Sequence, residues 1–188
     1  TETTTDSEET TAQTPATTDG ILHLALDEQS GKDQVKAAWG DPGGFYRTGM
    51  FSRLLKVDTD DQPTIPDLAE SYSVSDDQLT YTFVVRSDAT WHVRWSAEMA
   101  LKSAQITTII SSSLQSIEGA QEYIEGTADT VSGITADGQT VTFKLSSPNG
   151  DFLMAMAQWA PYPKHLLEGE DPLTLHTCSF WQAPVGSG

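Results

Sequence analysis

Alternation with a period of two is clearest between residues 72 and 86. Tyr72 and Val74 lead into Ser75-Asp76-Asp77-Gln78, after which Leu79, Tyr81, Phe83 and Val85 alternate with Thr80, Thr82, Val84 and Arg86. Successive strand side chains point to opposite faces, so this pattern predicts a hairpin with one buried face. A second hairpin is predicted where Val131–Ala136 and Gln139–Leu145 flank Asp137-Gly138, a dipeptide suited to the positive φ angles of a type I′ turn. Val141, Phe143 and Leu145 then share one face. Between the hairpins, Trp95, Met99, Ile106, Ile110 and Leu114 recur at intervals of four or seven, one stripe of a 3.6-residue period and hence a helical stretch. A short helix over Gly119–Glu125 should stop at Gly126. Another should run from Asp151 to Trp159, ended by Pro161 and Pro163.

Upstream, Ile21-Leu22-His23-Leu24-Ala25-Leu26 is a nearly continuous apolar run that reads as a buried strand. Asp27–Gly44, rich in Gly and Asp, is predicted as a long loop with one helical turn. Phe45–Leu55 is predicted as a helix leading into a turn, and Asp58–Pro66 as loop, polar and twice interrupted by Pro. Strands and helices follow one another without a βαβ rhythm, which predicts an α+β fold. No internal repeat is visible.

Composition changes the picture at the N-terminus. Residues 1–20 hold nine Thr, five acidic and no basic residues, with two Ala as the only aliphatic side chains. Such a segment cannot offset its ordering entropy and is predicted to be a disordered tether, with the folded part spanning 21–188. A Thr/Glu tether suits a lipidated surface protein, with the membrane reached only through that anchor; it equally suits an ordinary flexible linker. The chain carries a formal charge of −17. Nucleic acid and anionic membrane surfaces would be repelled and are excluded as main partners. The lone Cys178 allows no internal disulfide framework.

Residues able to do covalent chemistry do not fall into a working pattern. Gly186-Ser187-Gly188 lacks the five-residue frame of a nucleophile elbow. His165, His176 and Cys178 lack zinc spacing and are two ligands short on any one side of the chain. Asp58, Asp60 and Asp61 begin like a calcium loop, but Pro63 and Ala69 stand where that loop needs Gly and Glu. His92, beside Trp91, reads as structural. No catalytic residue, metal or cofactor is expected.

The run Pro66-Asp67-Leu68-Ala69-Glu70-Ser71-Tyr72, followed by Ser75-Asp76-Asp77-Gln78-Leu79-Thr80-Tyr81-Thr82-Phe83, resembles the signature of family 5 solute-binding proteins, the peptide, dipeptide and nickel binding components of ABC importers. Other stretches agree in order: Gly49–Leu54, Trp91-His92, Gly133-Ile134 with Asp137-Gly138, Ser147-Pro148-Asn149 with Phe152-Leu153, Pro163–Leu167, and Phe180-Trp181 with Pro184–Gly188. The signature itself reads as scaffold: Pro66 closes a loop, Leu68 and Ala69 insert beneath the sheet, and Tyr81 and Phe83 supply the buried face.

The resemblance implies part of a periplasmic-binding-protein type II fold: a first strand of lobe I over 21–44, then the small additional α+β domain over about 45–183, with the second lobe missing. It implies capture of a peptide or other small solute outside the cytoplasmic membrane and delivery to ABC permease subunits. Nickel chelates and oligosaccharides are also carried in the family, so the solute stays open. The resemblance places Asp27, Glu28, Trp39, Gln158 and Trp159 where relatives approach ligand, an acidic side chain pairing with a peptide's amino terminus. The alternative reading has Asp27 and Glu28 as solvated loop charges and both Trp as core. With only one wall of a cleft, the 188-residue chain is expected to bind oligopeptide weakly or not at all. Rival readings are an acidic, surface-tethered protein-interaction module and a secreted hydrolase fragment.

Three departures from the family pattern stand out. Gln78 occupies a turn position usually held by Gly; a positive φ there would cost on the order of 1 kcal/mol. After Trp91-His92 the usual Asp-Gly turn and Thr-Ala-Glu-Asp helix start are absent, and Val93-Arg94-Trp95-Ser96 follows directly. The apolar stripe favours placing that stretch on the helix itself, while Ser96-Ala97-Glu98 is the alternative start. Last, relatives continue well past the position of Gly188.

Overall fold

The computed structural model describes residues 51–89, 91–103, 108–182 and 185–187. All lie in a unit spanning Asp33–Gly188. The tether, the strand expected at Ile21–Leu26 and the loop with Asp27, Glu28 and Trp39 lie outside the described residues.

Alternation becomes a sheet. Strands β3 (Ala69–Val74), β4 (Thr80–Val85), β5 (Ile134–Asp137) and β6 (Thr140–Lys144) form a four-stranded antiparallel sheet in the order β3-β4-β6-β5. Tyr81 faces Phe143 and Phe83 faces Val141 in the β4–β6 register. Tyr81, Phe83, Val85, Val141 and Phe143 are all buried, and the intervening Thr80, Thr82 and Thr142 are half-exposed. In the first hairpin turn Gln78 takes φ +57, so the strained backbone that Gly would relieve is present. The second turn differs from the type I′ expectation. Asp137 pairs with Thr140 as part of the ladder, which leaves Gly138-Gln139 as the turn, and only Gly138 has positive φ, at +55. Gly at the first central position is the signature of a II′ turn, which matches strand twist equally well.

Helices α1 (Val93–Lys102), α2 (Thr108–Gln115), α3 (Ala120–Ile124) and α4 (Phe152–Gln158) supply the other half of the core. The single expected stripe from Trp95 to Leu114 is thus two helices, because Ser103 leaves α1 with extended backbone, φ −81 and ψ 135. Phe143 meets Phe83 and Phe152 edge-on at centroid distances of 5.9 and 5.6 Å, a geometry that adds quadrupole attraction to burial. Gly133 is required by close approach: a Cβ there would lie 2.6 Å from the Lys144 carbonyl oxygen and 2.8 Å from that of Glu118. Both carbonyls are engaged in the backbone bonds that join α2, α3 and β6.

The expected helix over Phe45–Leu55 is absent in its described part. Residues 51–54 are irregular and Leu55–Lys56 is a short strand, β1, paired with Ile65–Pro66, β2. The reason is non-local. The signature Asp67 accepts from the Arg53 backbone N–H at 2.9 Å and from Lys56 Nζ at 2.9 Å, while Leu68 and Ala69 donate to the carbonyls of Arg53 and Leu54. Extended backbone here satisfies groups that a helix would keep to itself. The same pairing turns part of the expected Asp58–Pro66 loop into strand.

A second cluster sits apart from the sheet-side core. Phe51, Trp91, Met99, Tyr162, Leu167 and Leu175 pack together, with Phe180 against them; they are drawn from loops, from α1, from α5 (Lys164–Leu167) and from two short 3₁₀ turns at Leu175–Thr177 and Ser179–Gln182. Ser96, on α1 and fully buried, ties this region to the helix: its Oγ accepts from Tyr162 N–H at 2.7 Å and donates to the His92 carbonyl at 2.7 Å. Ser52 N–H donates to Ser187 Oγ at 2.6 Å, joining the two ends of the described segment.

Candidate functional site

Of the five residues singled out from sequence, Gln158 and Trp159 are described. Helix α4 ends on them: Trp159 is the extended C-cap, φ −90 and ψ 126, and its N–H donates to the Ala155 carbonyl at 2.8 Å. Gln158 is half-buried. Trp159 is 2% exposed, and its indole Nε1 is buried with no hydrogen-bond partner. Buried indole N–H groups usually find an acceptor, so this orphan donor is a feature to account for. The other three, Asp27, Glu28 and Trp39, lie outside the described residues.

Of the residues weighed and set aside as calcium ligands, Asp58 has a local structural task. Asp58 organises its own loop: Thr64 Oγ1 donates to its Oδ2 at 2.7 Å, and the N–H groups of Asp60 and Gln62 donate to Oδ1 at 2.9 Å each. The Thr64 hydroxyl, then the Gln62 N–H, hold its carboxyl below the ordinary aspartate value. Among the described residues no group of three or more His, Cys, Asp and Glu is arranged to hold a metal ion, and no helix is long and apolar enough to cross a membrane.

A feature not foreseen from sequence is an open groove of about 730 Å³ between the first turn of α1, the loop after β4 and the β5–β6 turn. Trp91, Val93 and Val141 contribute apolar surface, and Arg86, Arg94 and Lys164 contribute charge. Its position follows from the shortened connection noted above. Helix α1 begins at Val93, immediately after His92, which makes no side-chain cap bond. The structure therefore puts Val93–Ser96 on the helix, in preference to a start at Ser96. The sequence signal was the interleaving of aromatic and basic residues in Trp91-His92-Val93-Arg94-Trp95, which scaffold reasoning passed over. Arg86 holds Asp88 with two parallel bonds, Nε to Oδ1 at 3.0 Å and Nη2 to Oδ2 at 2.9 Å, and this guanidinium keeps the Asp88 carboxyl below its ordinary value.

The described residues form an antiparallel sheet packed against helices, with the signature residues Leu68, Ala69, Tyr81 and Phe83 buried. Two solved structures share that arrangement. A periplasmic oligopeptide-binding protein of Borrelia burgdorferi superposes with a TM-score of 0.58 at 27% identity, over 75% of this chain and 31% of that one. NikZ of Campylobacter jejuni, solved in complex with Ni(L-His), superposes with a TM-score of 0.54 at 27% identity, over 74% of this chain and 26% of that one. A Brucella ovis protein named as an ABC transporter peptide-binding protein is 29% identical over 148 residues, 78% of this chain and 27% of the relative. Residues 64–188 match the family described as Bacterial extracellular solute-binding proteins, family 5 Middle. The fold is therefore that of the solute-binding class, part of a periplasmic-binding-protein type II fold. The chain belongs to family 5 of the bacterial extracellular solute-binding proteins, and spans about a quarter of the length of the Brucella relative.

Proposed function

We propose that these residues serve a substrate-binding component of an ABC importer that captures peptides outside the cytoplasmic membrane and passes them to the permease. The observation that carries this reading is the family match over 64–188, together with relatives named for peptide binding. The described region supplies a stiff wall: its signature residues Asp67, Leu68 and Ala69 are engaged in backbone and core contacts. Capture in such proteins comes from burying a solute between two lobes, with no covalent step. The lipid-anchor reading of the tether, and the ligand-facing roles of Asp27, Glu28, Trp39, Gln158 and Trp159, stay part of the proposal. For Trp159 the unpartnered Nε1–H speaks for a ligand role, while its 2% exposure within the sheet-side core speaks for the alternative reading as core.

Removing the gene from its host should abolish most uptake of a labelled oligopeptide pool while leaving free amino-acid uptake unchanged. Unaltered oligopeptide uptake would overturn the reading. Loss of nickel–histidine uptake instead would favour a second reading, motivated by the likeness to NikZ, in which the solute is a metal chelate.

A further inference from the structure

Asparagine occurs once in this chain, at position 149, and the residue after it is Gly150. The pair lies in the turn between β6 and α4, where Asn149 is half-buried and Gly150 exposed. Nothing lies within 4 Å of a Cβ placed on Gly150, and its N–H bonds to no group among the described residues. A main-chain nitrogen that is solvated, unbonded and without a neighbouring Cβ is open to close approach by the Asn149 amide.

The Asn149 side chain is set for the same reaction. Its Oδ1 accepts from the Asp151 N–H at 3.0 Å, which draws electron density from Cγ and favours an oxyanion there. The Nδ2 end is loosely held. Its bonds to Ser116 Oγ and Ser113 Oγ are 3.3 and 3.5 Å, longer than the roughly 2.7–3.2 Å of well-made N–H···O bonds.

We propose that Asn149 is a self-modifying site, converted without an enzyme to aspartate and isoaspartate through a succinimide closed by the Gly150 nitrogen. That nitrogen gives up its proton to base, and its lone pair forms a bond to Cγ. The Cγ–Nδ2 bond then breaks, and the amide nitrogen leaves as ammonia, taking a proton from water. Water next adds across one of the two imide C–N bonds. Opening at Cγ leaves aspartate; opening at the main-chain carbonyl carries the chain through Cβ and Cγ as isoaspartate. Either product adds negative charge.

The change is felt because Asn149 is a joint. Its carbonyl accepts from the Phe152 N–H at 3.2 Å and from the Tyr81 hydroxyl at 3.5 Å, and its side chain reaches Ser113, fully buried on α2. In isoaspartate that carbonyl becomes a free carboxylate and the chain gains a methylene, so the entry of α4 shifts against β4 and α2. Phe152 stands 4.6 Å from Tyr81 and 5.6 Å from Phe143 between ring centroids, which carries the shift into the closely packed sheet-side core. The inference holds whichever solute the whole protein carries.

Removal of the Gly150 proton speeds as pH rises, so peptide mapping by mass spectrometry on the 188-residue chain, held at about pH 8, tests it. Conversion at Asn149, with isoaspartate among the products, should run within about tenfold of its rate in the guanidinium-unfolded chain, because an exposed turn opens at little cost. Gly150→Val, for which there is room, should slow conversion by about tenfold or more by covering the nitrogen. The denaturant midpoint should fall with the converted fraction, while that of Asn149→Ser, incubated alongside, stays constant. Protection by more than about tenfold in the folded chain overturns the proposal, and that comparison needs no variant. So does an equal rate in Gly150→Val, which would mean direct hydrolysis of the amide. An unchanged midpoint in the converted protein, or an equal fall in Asn149→Ser, overturns the role of Asn149 as a joint.

Discussion

The two hydrophobic clusters of this protein are built from different kinds of chain. On the sheet side, Phe83, Phe143, Leu114, Phe152 and Met156 come from β4, β6, α2 and α4, where regular hydrogen bonding holds each element before any side chain packs. On the other side, four of the six members, Phe51, Trp91, Tyr162 and Leu175, come from irregular or 3₁₀ backbone, with Met99 of α1 and Leu167 of the one-turn α5 completing the cluster and the Ser96–Tyr162 bond tying it to α1. Elements that satisfy their own backbone can lose a neighbour and persist. Segments that rely on side-chain acceptors open locally when one is lost. The sheet side should therefore carry the global stability, with the Pro161–Gln182 segment drawn from its low-stability end.

The largest test of that contrast is Phe143→Ala. Phe143 is fully buried and touches Phe83 and Phe152. Its truncation should cost ~3–5 kcal/mol, read as a shift of the denaturant midpoint for the whole molecule. A shift confined to the far cluster would break the comparison.

Next is Ser96→Ala, which removes the buried acceptor of the Tyr162 N–H and the donor to the His92 carbonyl. A loss of ~1–3 kcal/mol is expected. Hydrogen exchange should sharpen the picture: amides over 160–182 exchange faster in this variant while β4 and β6 keep their protection. Uniform acceleration across both regions would mean that the two clusters unfold as one.

The same contrast explains what the sequence disclosed. Period two in Tyr81-Thr82-Phe83 and the apolar run of α4 report on local backbone and face, and both were legible. Leu54 and Leu55, with the β1–β2 pairing, were not, because Asp67 fixes them from across a loop. The type of the second turn was missed by one residue, since ladder pairing of Asp137 with Thr140 depends on register. The far cluster has no period at all: Trp91, Tyr162 and Leu175 meet only because the chain returns. The groove was hidden for a related reason. Trp91–Trp95 is visibly mixed aromatic and basic, but its concavity depends on Gly138 and Lys164 arriving from elsewhere. Of the candidate solute site, the α4 end was placed correctly as a helix terminus, while its ligand-facing role rests on family resemblance.

A smaller effect, of opposite sign, is expected at the first hairpin. Gln78 holds φ +57 in the turn. Gln78→Gly relieves left-handed strain and adds some freedom to the unfolded chain, leaving a net gain of about 0.5–1 kcal/mol. The gain should appear in the global midpoint, because the turn belongs to the sheet side. A neutral or destabilising result would mean that the Gln78 side chain compensates the strain.

The smallest effect is visible only against pH. In the same turn Asp77 accepts from the Ser75 hydroxyl and from the Leu79 N–H, at 3.0 Å, and these bonds, the Ser75 one foremost, hold its carboxyl below the ordinary value of 3.8. The folded state then binds fewer protons than the unfolded chain in the window between the lowered value and 3.8. Its contribution is fully present above that window and is lost as pH falls through the native value. Asp58 and Asp88, at loops bordering other strands, act in the same direction. Asp77→Asn keeps an acceptor at the position but cannot titrate, so it should leave stability near neutral pH almost unchanged and flatten the fall below about pH 4. Denaturant midpoints of both proteins at pH 6 and pH 3 decide it. Equal drops in the two would show that the turn's carboxylate adds nothing to folding, and that acid acts on the sheet side through Asp58 and Asp88 instead.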